Sequence, residues 1–299
     1  MHDLISIRDL EKSDVERYLE SAADMEKNLY LMHDRFKEKL AATAFFEAST
    51  RTNLSFQTAA QRLGMSVVSY NHAASSSQKG ESFTDTIKII DGYADIIILR
   101  HPMEGAPKLA ADVARAPVVN AGDGGNQHPT QTLIDLYTIK KAKGKIGGLD
   151  VRLVGDLKHA RAMRSLLYGL GMFGAKVTLI APAGLEMDPA VVEETEGKFG
   201  LKAEQTAKLD IAGADVVYVC RIQKERFDDP YAAQKLQESF RISPELLDGA
   251  KEGMILMHPL PKLDEIPPGI DASPHAHYFA QAKNGVPVRM AVLQDCLSG

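Results

Sequence analysis

From residue 41 onward, short apolar runs alternate with stretches whose apolar residues recur every three or four positions. The runs 41–46, 66–70, 96–99 and 118–120 have the length and residue types of strands, while 81–93 and 128–143 carry the helical period, the latter through Leu133, Leu136 and Tyr137. Phe56, Ala59, Ala60 and Leu63 fall at i, i+3, i+4 and i+7, with Gly64 as a stop, so a strand feeds a helix near residue 49. The alternation resumes after the loop Gly144-Lys145-Ile146-Gly147-Gly148, with strands expected at 151–154, 176–180, 215–220 and 254–257 and helices at 160–170 and 189–199. Strands linked by helical crossovers pair in parallel. The expectation is an α/β chain of two open, doubly wound domains with mainly parallel sheets, 1–143 and 144–287. Met290, Leu293 and Leu297 predict a closing helix, with the segment 288–299 packing back on the first domain. Near the start, Ser13-Asp14-Val15-Glu16 reads as a capping box before the stripe Val15, Leu19, Ala22 and Ala23.

Composition narrows the function classes. A length of 299 residues suits two domains, and 44% hydrophobic with 25% charged residues describes a folded globular chain. No apolar run approaches the roughly 18–20 residues that span a bilayer, and Met1-His2-Asp3-Leu4 is not the start of a leader, so a cytoplasmic protein is expected. A net charge of −5, with no Lys/Arg-rich block, argues against nucleic-acid and membrane partners. Any anion site must then be local, built from a few placed arginines. Cys220 and Cys296 lie in apolar runs without metal-type spacing and read as buried, reduced thiols. Gly169-Leu170-Gly171-Met172-Phe173-Gly174 spells G-x-G-x-x-G, but it ends a helical pattern and precedes a strand, the reverse of the dinucleotide fingerprint. These glycines read as a helix terminator, and no dinucleotide at them, no disulfide and no Cys-based metal site is expected.

The candidate chemistry lies just past predicted strands. Ser49-Thr50-Arg51-Thr52 places hydroxyls and a guanidinium at a helix start, where unpaired N–H groups and the helix dipole suit a phosphate or carboxylate. Taken alone, the same four residues also describe an ordinary Ser cap beside a solvated Arg. Arg100-His101-Pro102 follows Ile96-Ile97-Ile98-Leu99, Arg161 follows the strand ending at Val154, and Arg221 follows the run ending at Cys220. Open α/β sheets bind their ligands at the carboxyl ends of strands, so the recurrence of arginine there points to anionic substrates. In Asn126-Gln127-His128-Pro129-Thr130-Gln131-Thr132 the proline suits a first helical turn, which places His128 and Gln131 near a helix N-terminus. Such a histidine can donate to a polarised carbonyl oxygen, or it can be part of a plain cap.

Phe46-Glu47-Ala48-Ser49-Thr50-Arg51-Thr52 resembles the carbamoyl-phosphate signature of the aspartate/ornithine transcarbamoylase family. Arg100-His101-Pro102, His128-Pro129-Thr130-Gln131 and His258-Pro259-Leu260-Pro261 resemble its further motifs, in the family's order from about residue 42 to the end. Arg221-Ile222-Gln223-Lys224-Glu225 and the His-Pro-Leu-Pro form resemble the aspartate branch; the cysteine and the Ser-Met-Gly segment of the ornithine branch are absent. The resemblance implies carbamoyl transfer from carbamoyl phosphate to the α-amine of L-aspartate in de novo pyrimidine biosynthesis, without metal or cofactor. It assigns the phosphate to Ser49, Thr50, Arg51 and Thr52, carbonyl polarisation to Thr52, Arg100 and His128, and the amide nitrogen to Gln131 with the carbonyls of Pro259 and Leu260. Arg51, Thr52, Arg100 and His128 would be the catalytic set, and Arg161, Arg221 and Gln223 would hold the carboxylates of aspartate. The first domain would bind carbamoyl phosphate and the second aspartate. Ser75 and Lys79 correspond to a loop entering a neighbouring subunit's site, which implies a homotrimer with shared sites and leaves room for a separate regulatory chain. Asn53 departs from the pattern, since many members carry a further Arg there, and any ion pair of that Arg is in doubt.

Overall fold

The computed structural model of the 299-residue chain describes residues 1–71, 80–223, 227 and 229–298. The chain divides into two compact units, Met1–Tyr137 with Asn284–Gly299, and Thr138–Lys283. Unit 1 holds strands β1 (Leu40–Phe45), β2 (Ser66–Asn71), β3 (Ile96–His101) and β4 (Val118–Asp123), in the order β2-β1-β3-β4 and all parallel. The crossovers between them are α2 (Thr50–Arg62), α3 (Phe83–Asp91) and α4 (Ala106–Val113), and α1 (Lys12–Lys27) precedes the sheet. Ile96, Ile97, Ile98 and Leu99 are wholly buried, as expected of a strand covered on both faces, and each such side chain contributes roughly 1.5–3 kcal/mol by leaving water.

Unit 2 repeats the plan with β5 (Asp150–Val154), β6 (Lys176–Ile180), β7 (Glu204–Thr206), β8 (Val216–Val219) and β9 (Ile255–Met257). Its order is β7-β6-β5-β8-β9, again parallel throughout. Helices α6 (Arg161–Met172), α7 (Pro189–Phe199), α8 (Pro230–Ser239) and α9 (Pro244–Asp248) cover it, and α5 (Pro129–Lys143) and α10 (Tyr278–Ser298) carry the chain from one unit to the other and back. Each sheet therefore has one place where the strand order reverses: between β1 and β3 in unit 1 and between β5 and β8 in unit 2. Crevices that take ligands form at the carboxyl side of such points. No helix among the described residues is long and apolar enough to cross a membrane.

Several local expectations are corrected. The cap of α1 is Glu11, whose N–H donates to Asp14 Oδ2 at 3.0 Å; the box is made by Glu11 and Asp14 rather than Ser13 and Glu16. Both boxes share an acidic residue in the first turn, and sequence spacing does not choose between them. Helix α10 begins at Tyr278, ten residues before the expected start, and runs through Pro287. Proline removes only its own N–H bond, the one to the carbonyl four residues earlier, and Val288 and Met290 beyond it are fully buried. In the G-x-G-x-x-G segment only Gly174, with φ +67°, terminates the helix. Gly171 lies inside α6, where a Cβ would stand 2.9 Å from Phe199 Cδ2 and 3.0 Å from Thr195 Cγ2, so its hydrogen permits the close approach of α7. Helix α4 escaped the periodicity because its buried face is made of Ala106, Pro107 and Ala110, too small to mark a stripe.

Candidate active site

In unit 1 the exits of β1 and β3 lie side by side at the reversal of strand order. Phe45 is in register with Arg100, and the Phe46 N–H donates to the Arg100 carbonyl at 2.8 Å. Ser49 caps α2 in an extended conformation (φ −158°, ψ 99°), and its hydroxyl makes no capping bond, so this oxygen and the first-turn N–H groups remain for a ligand. Arg51 is exposed beside them and Thr52 is buried. Arg100 donates from Nη2 to Glu47 Oε1 at 2.7 Å and from Nη1 to the Ala121 carbonyl at 3.3 Å, which anchors a mostly buried guanidinium across three strand exits. His101, its neighbour, packs against Phe46 and Phe83 with ring centroids 4.9 and 5.0 Å away and is part of the wall behind this group.

The loop before α5 is organised by Asp123, a buried carboxylate at the end of β4. Its Oδ1 accepts from Asn120 Nδ2 and the Gln127 N–H, each at 3.0 Å, and its Oδ2 from the Gly105 N–H at 2.9 Å and Asn126 Nδ2 at 3.0 Å. Four donors on one carboxylate hold the approach to His128, which is buried at the start of α5 with Thr130 Oγ1 3.5 Å from its Nδ1. Gln131 Nε2 donates to the buried Asp135 Oδ1 at 2.8 Å, which turns the Gln131 carbonyl oxygen into the acceptor left for another group. Asp123 and Asp135 carry no sequence signal, because a single acidic residue at a strand end or within a helix has no pattern of its own, and Glu47 stands in the signature stretch without a role that spacing assigns.

In unit 2 the matching reversal lies between β5 and β8. Gly155 follows β5 directly with φ +118°, and a Cβ there would be 2.1 Å from the Cys220 carbonyl oxygen, so only glycine lets the two strand exits touch. The next residue, Asp156, is fully buried and accepts from the His159 N–H at 3.1 Å, with His159 Nδ1 at 3.0 Å, which shapes the turn that delivers Arg161 as the first residue of α6. Arg221 and Gln223 leave β8 half-buried on either side of the buried Ile222. Burial, with the Asp156 charge, pushes the Cys220 thiol well up, which leaves it a reduced and unreactive wall group.

Pro259 and Leu260 follow β9. Leu260 has φ +55° and its N–H donates to His258 Nδ1 at 2.8 Å; that nitrogen then carries no hydrogen, and Nε2–H faces Glu265 Oε1 at 3.0 Å. The His258 N–H donates to Gln281 Oε1 at 3.0 Å. Burial pushes the Glu265 carboxyl up, but the bonds from His258 and the Leu263 N–H outweigh it and hold the group below its ordinary value. His258 is thus the internal brace of the Pro259-Leu260 turn. Ser49–Thr52 and Arg100 lie at the reversal of unit 1, Arg161, Arg221 and Gln223 at that of unit 2, while His128 and Gln131 follow the edge strand β4 and Pro259 and Leu260 the edge strand β9. Ser75, Lys79, Lys224 and Glu225 lie outside the described residues.

Residues 2–141 match the carbamoyl-P binding domain of aspartate/ornithine carbamoyltransferases, and 147–296 match their Asp/Orn binding domain. The chain belongs to the aspartate/ornithine carbamoyltransferase family. Among its curated relatives is the aspartate carbamoyltransferase catalytic subunit of Thermococcus onnurineus, 50% identical over 97% of this chain and 95% of the relative. The corresponding subunit of Methanopyrus kandleri is 46% identical over 99% and 97%. Among solved structures, the catalytic subunit of M. jannaschii aspartate transcarbamoylase superposes with a TM-score of 0.91 at 44% identity, covering 100% of this chain and 98% of that one. Aspartate transcarbamoylase from Trypanosoma cruzi, solved with carbamoyl phosphate and aspartate, gives 0.91 at 35% identity over 98% and 94%. A carbamoyltransferase family of this kind explains why an acidic chain places arginines after successive strands.

Proposed function

We propose that this chain transfers the carbamoyl group of carbamoyl phosphate to the α-amine of L-aspartate, giving N-carbamoyl-L-aspartate and phosphate. The observation that carries the reading is the junction in unit 1, where the N-terminus of α2 with Ser49 and Arg51 adjoins the exit of β3 with Arg100. The α2 terminus and Arg51 take the phosphate, while Thr52, Arg100 and His128 donate to the carbonyl oxygen as it becomes an oxyanion. Gln131 accepts from the amide nitrogen through the oxygen that Asp135 leaves to it, and the family resemblance gives the carbonyls of Pro259 and Leu260 the same task. The neutral amine attacks the carbamoyl carbon, the tetrahedral intermediate expels phosphate, and the amine proton leaves with it. Positioning two bound reactants supplies much of the rate.

Arg161, Arg221 and Gln223 hold the carboxylates of aspartate. Replacing Arg221 by alanine is expected to raise KM for aspartate about 10–100-fold with little change in KM for carbamoyl phosphate, as for loss of a charge-assisted pair. Steady-state assays with carbamoyl phosphate and either aspartate or ornithine test the substrate assignment; turnover of ornithine in preference to aspartate would overturn it. We also propose, from the family resemblance, a cytoplasmic homotrimer in pyrimidine synthesis, open to a regulatory chain, in which Ser75 and Lys79 serve a neighbour's site. A dilution series followed by light scattering and activity is expected to show activity vanishing with the trimer, and a fully active monomer would refute the sharing.

A further inference from the structure

Arg289, on the part of α10 that belongs to unit 1, is an arginine that the mechanism above does not use. It is only 4% exposed, its Cζ lies 4.7 Å over the Phe56 ring, and its Nη1 donates to Ser55 Oγ at 2.6 Å. Nε meets no hydrogen-bond partner among the described residues. Ser55 Oγ in turn reaches back to the carbonyls of Arg51 at 2.6 Å and Thr52 at 3.1 Å, the two residues that follow Thr50 at the start of α2. A serine bonding to its own helix's preceding turn ordinarily loosens that helix. Here the hydroxyl is fixed from the other side by a buried cation, which polarises the O–H and locks its direction.

We infer that Arg289 is a positioning residue for the anion cradle, acting through Ser55 to hold the first turn of α2 in the geometry that carries Arg51 and Thr52. The inference rests on the proposal that this turn takes the phosphate of carbamoyl phosphate. Its surroundings favour such a role over simple stability. Burying a guanidinium is costly, and Arg289 gains little here beyond one neutral hydroxyl and an aromatic face. Burial, with the nearby Arg100 charge, pushes Arg289 down to about 9, against a smaller opposing pull from Asp135. Arg100, one of the charges that acts on it, is itself paired with Glu47 at 2.7 Å, so Arg289 is left to face the α2 turn. Arg289 also shares its neighbourhood with Asp135, which orients Gln131. One buried cation thus stands behind the α2 turn, Arg100 and the Gln131 brace.

The test uses the full chain and inorganic phosphate as the probe, titrated calorimetrically, beside KM for carbamoyl phosphate and kcat. Ser55→Ala, which removes no charge and little volume, is expected to weaken phosphate binding and raise KM for carbamoyl phosphate about 5–10-fold, the scale of one hydrogen bond, with kcat changed less. Arg289→Lys is expected to do the same, and adding Arg289→Lys to Ser55→Ala should cost less than the product of the two single effects, because both act on one relay. Independent, multiplying effects would overturn the inference, as would a fall in Tm with phosphate binding intact, the signature of a purely structural role. Should Arg289→Lys fail to fold, Ser55→Ala alone decides. Arg51→Ala serves as the control: unchanged phosphate binding there removes the cradle itself. Lost binding in Arg51→Ala with normal binding in Ser55→Ala removes only the role of Arg289.

Discussion

Arg51→Ala lowers kcat/KM for carbamoyl phosphate by about 10²–10³-fold, the usual consequence of deleting one preorganised donor to a reacting anion. The folded state should scarcely notice. Arg51 is exposed, on the first turn of α2, and surface substitutions of this kind stay within about 0.5 kcal/mol. Helix α2 keeps its buried face, Phe56, Ala59 and Ala60, and its cap. The expected pattern is therefore a large kinetic defect at constant Tm, measured by initial rates over carbamoyl phosphate concentration and by thermal unfolding of the same preparation. Near-normal kcat/KM would mean that the phosphate binds elsewhere.

The second large effect falls on stability. His258→Ala leaves Glu265, only 2% exposed, without the Nε2–H donor at 3.0 Å, and leaves the Leu260 N–H without its acceptor. Breaking one side of a buried pair costs about 3–5 kcal/mol, which corresponds to a fall in Tm of roughly 6–20 °C for a unit of this size. The pH dependence follows from the sign of the Glu265 shift. Its folded pKa lies below the ordinary 4.5, so the stability it contributes is fully present above that pH and is lost as pH falls through the folded value. The Tm difference between wild type and His258→Ala should then be largest near neutrality and narrow as pH is lowered beneath 4.5. A gap that stays constant down to strongly acid pH would show that Glu265 is not the group responsible.

The α/β class was legible in the alternation of strand-length runs with helical stripes, since side chains such as Ile96, Ile97, Ile98 and Leu99 record burial on both faces directly in the chain. The motif residues were legible too, because anion chemistry at a strand exit needs recognisable types: hydroxyls at a cap, a guanidinium, a histidine before Pro129. What supports those residues was not. Asp123, Asp135, Glu265 and Arg289 are single charged residues without periodicity; the first three take their partners mostly from within a few positions, through turn and helix geometry that spacing does not reveal, and Ser55 is far in sequence from Arg289. Nor could spacing show that α10 runs through Pro287, because burial of the residues beyond it, not helix propensity, carries that helix.

By itself, then, the sequence determined the alternating elements, the family and the identity of the groups that can meet an anion, since these depend on residue type and on neighbours a few positions away. The tertiary structure alone decided the strand orders β2-β1-β3-β4 and β7-β6-β5-β8-β9, and with them the two reversals, at or beside which the candidate residues follow the strands. The proposed reading of Ser49-Thr50-Arg51-Thr52 as a cradle rather than a plain cap draws on Arg100 placed beside it by β3 and on Arg289 bonded to Ser55 from α10. Those placements are set by packing across many residues, and no local pattern encodes them.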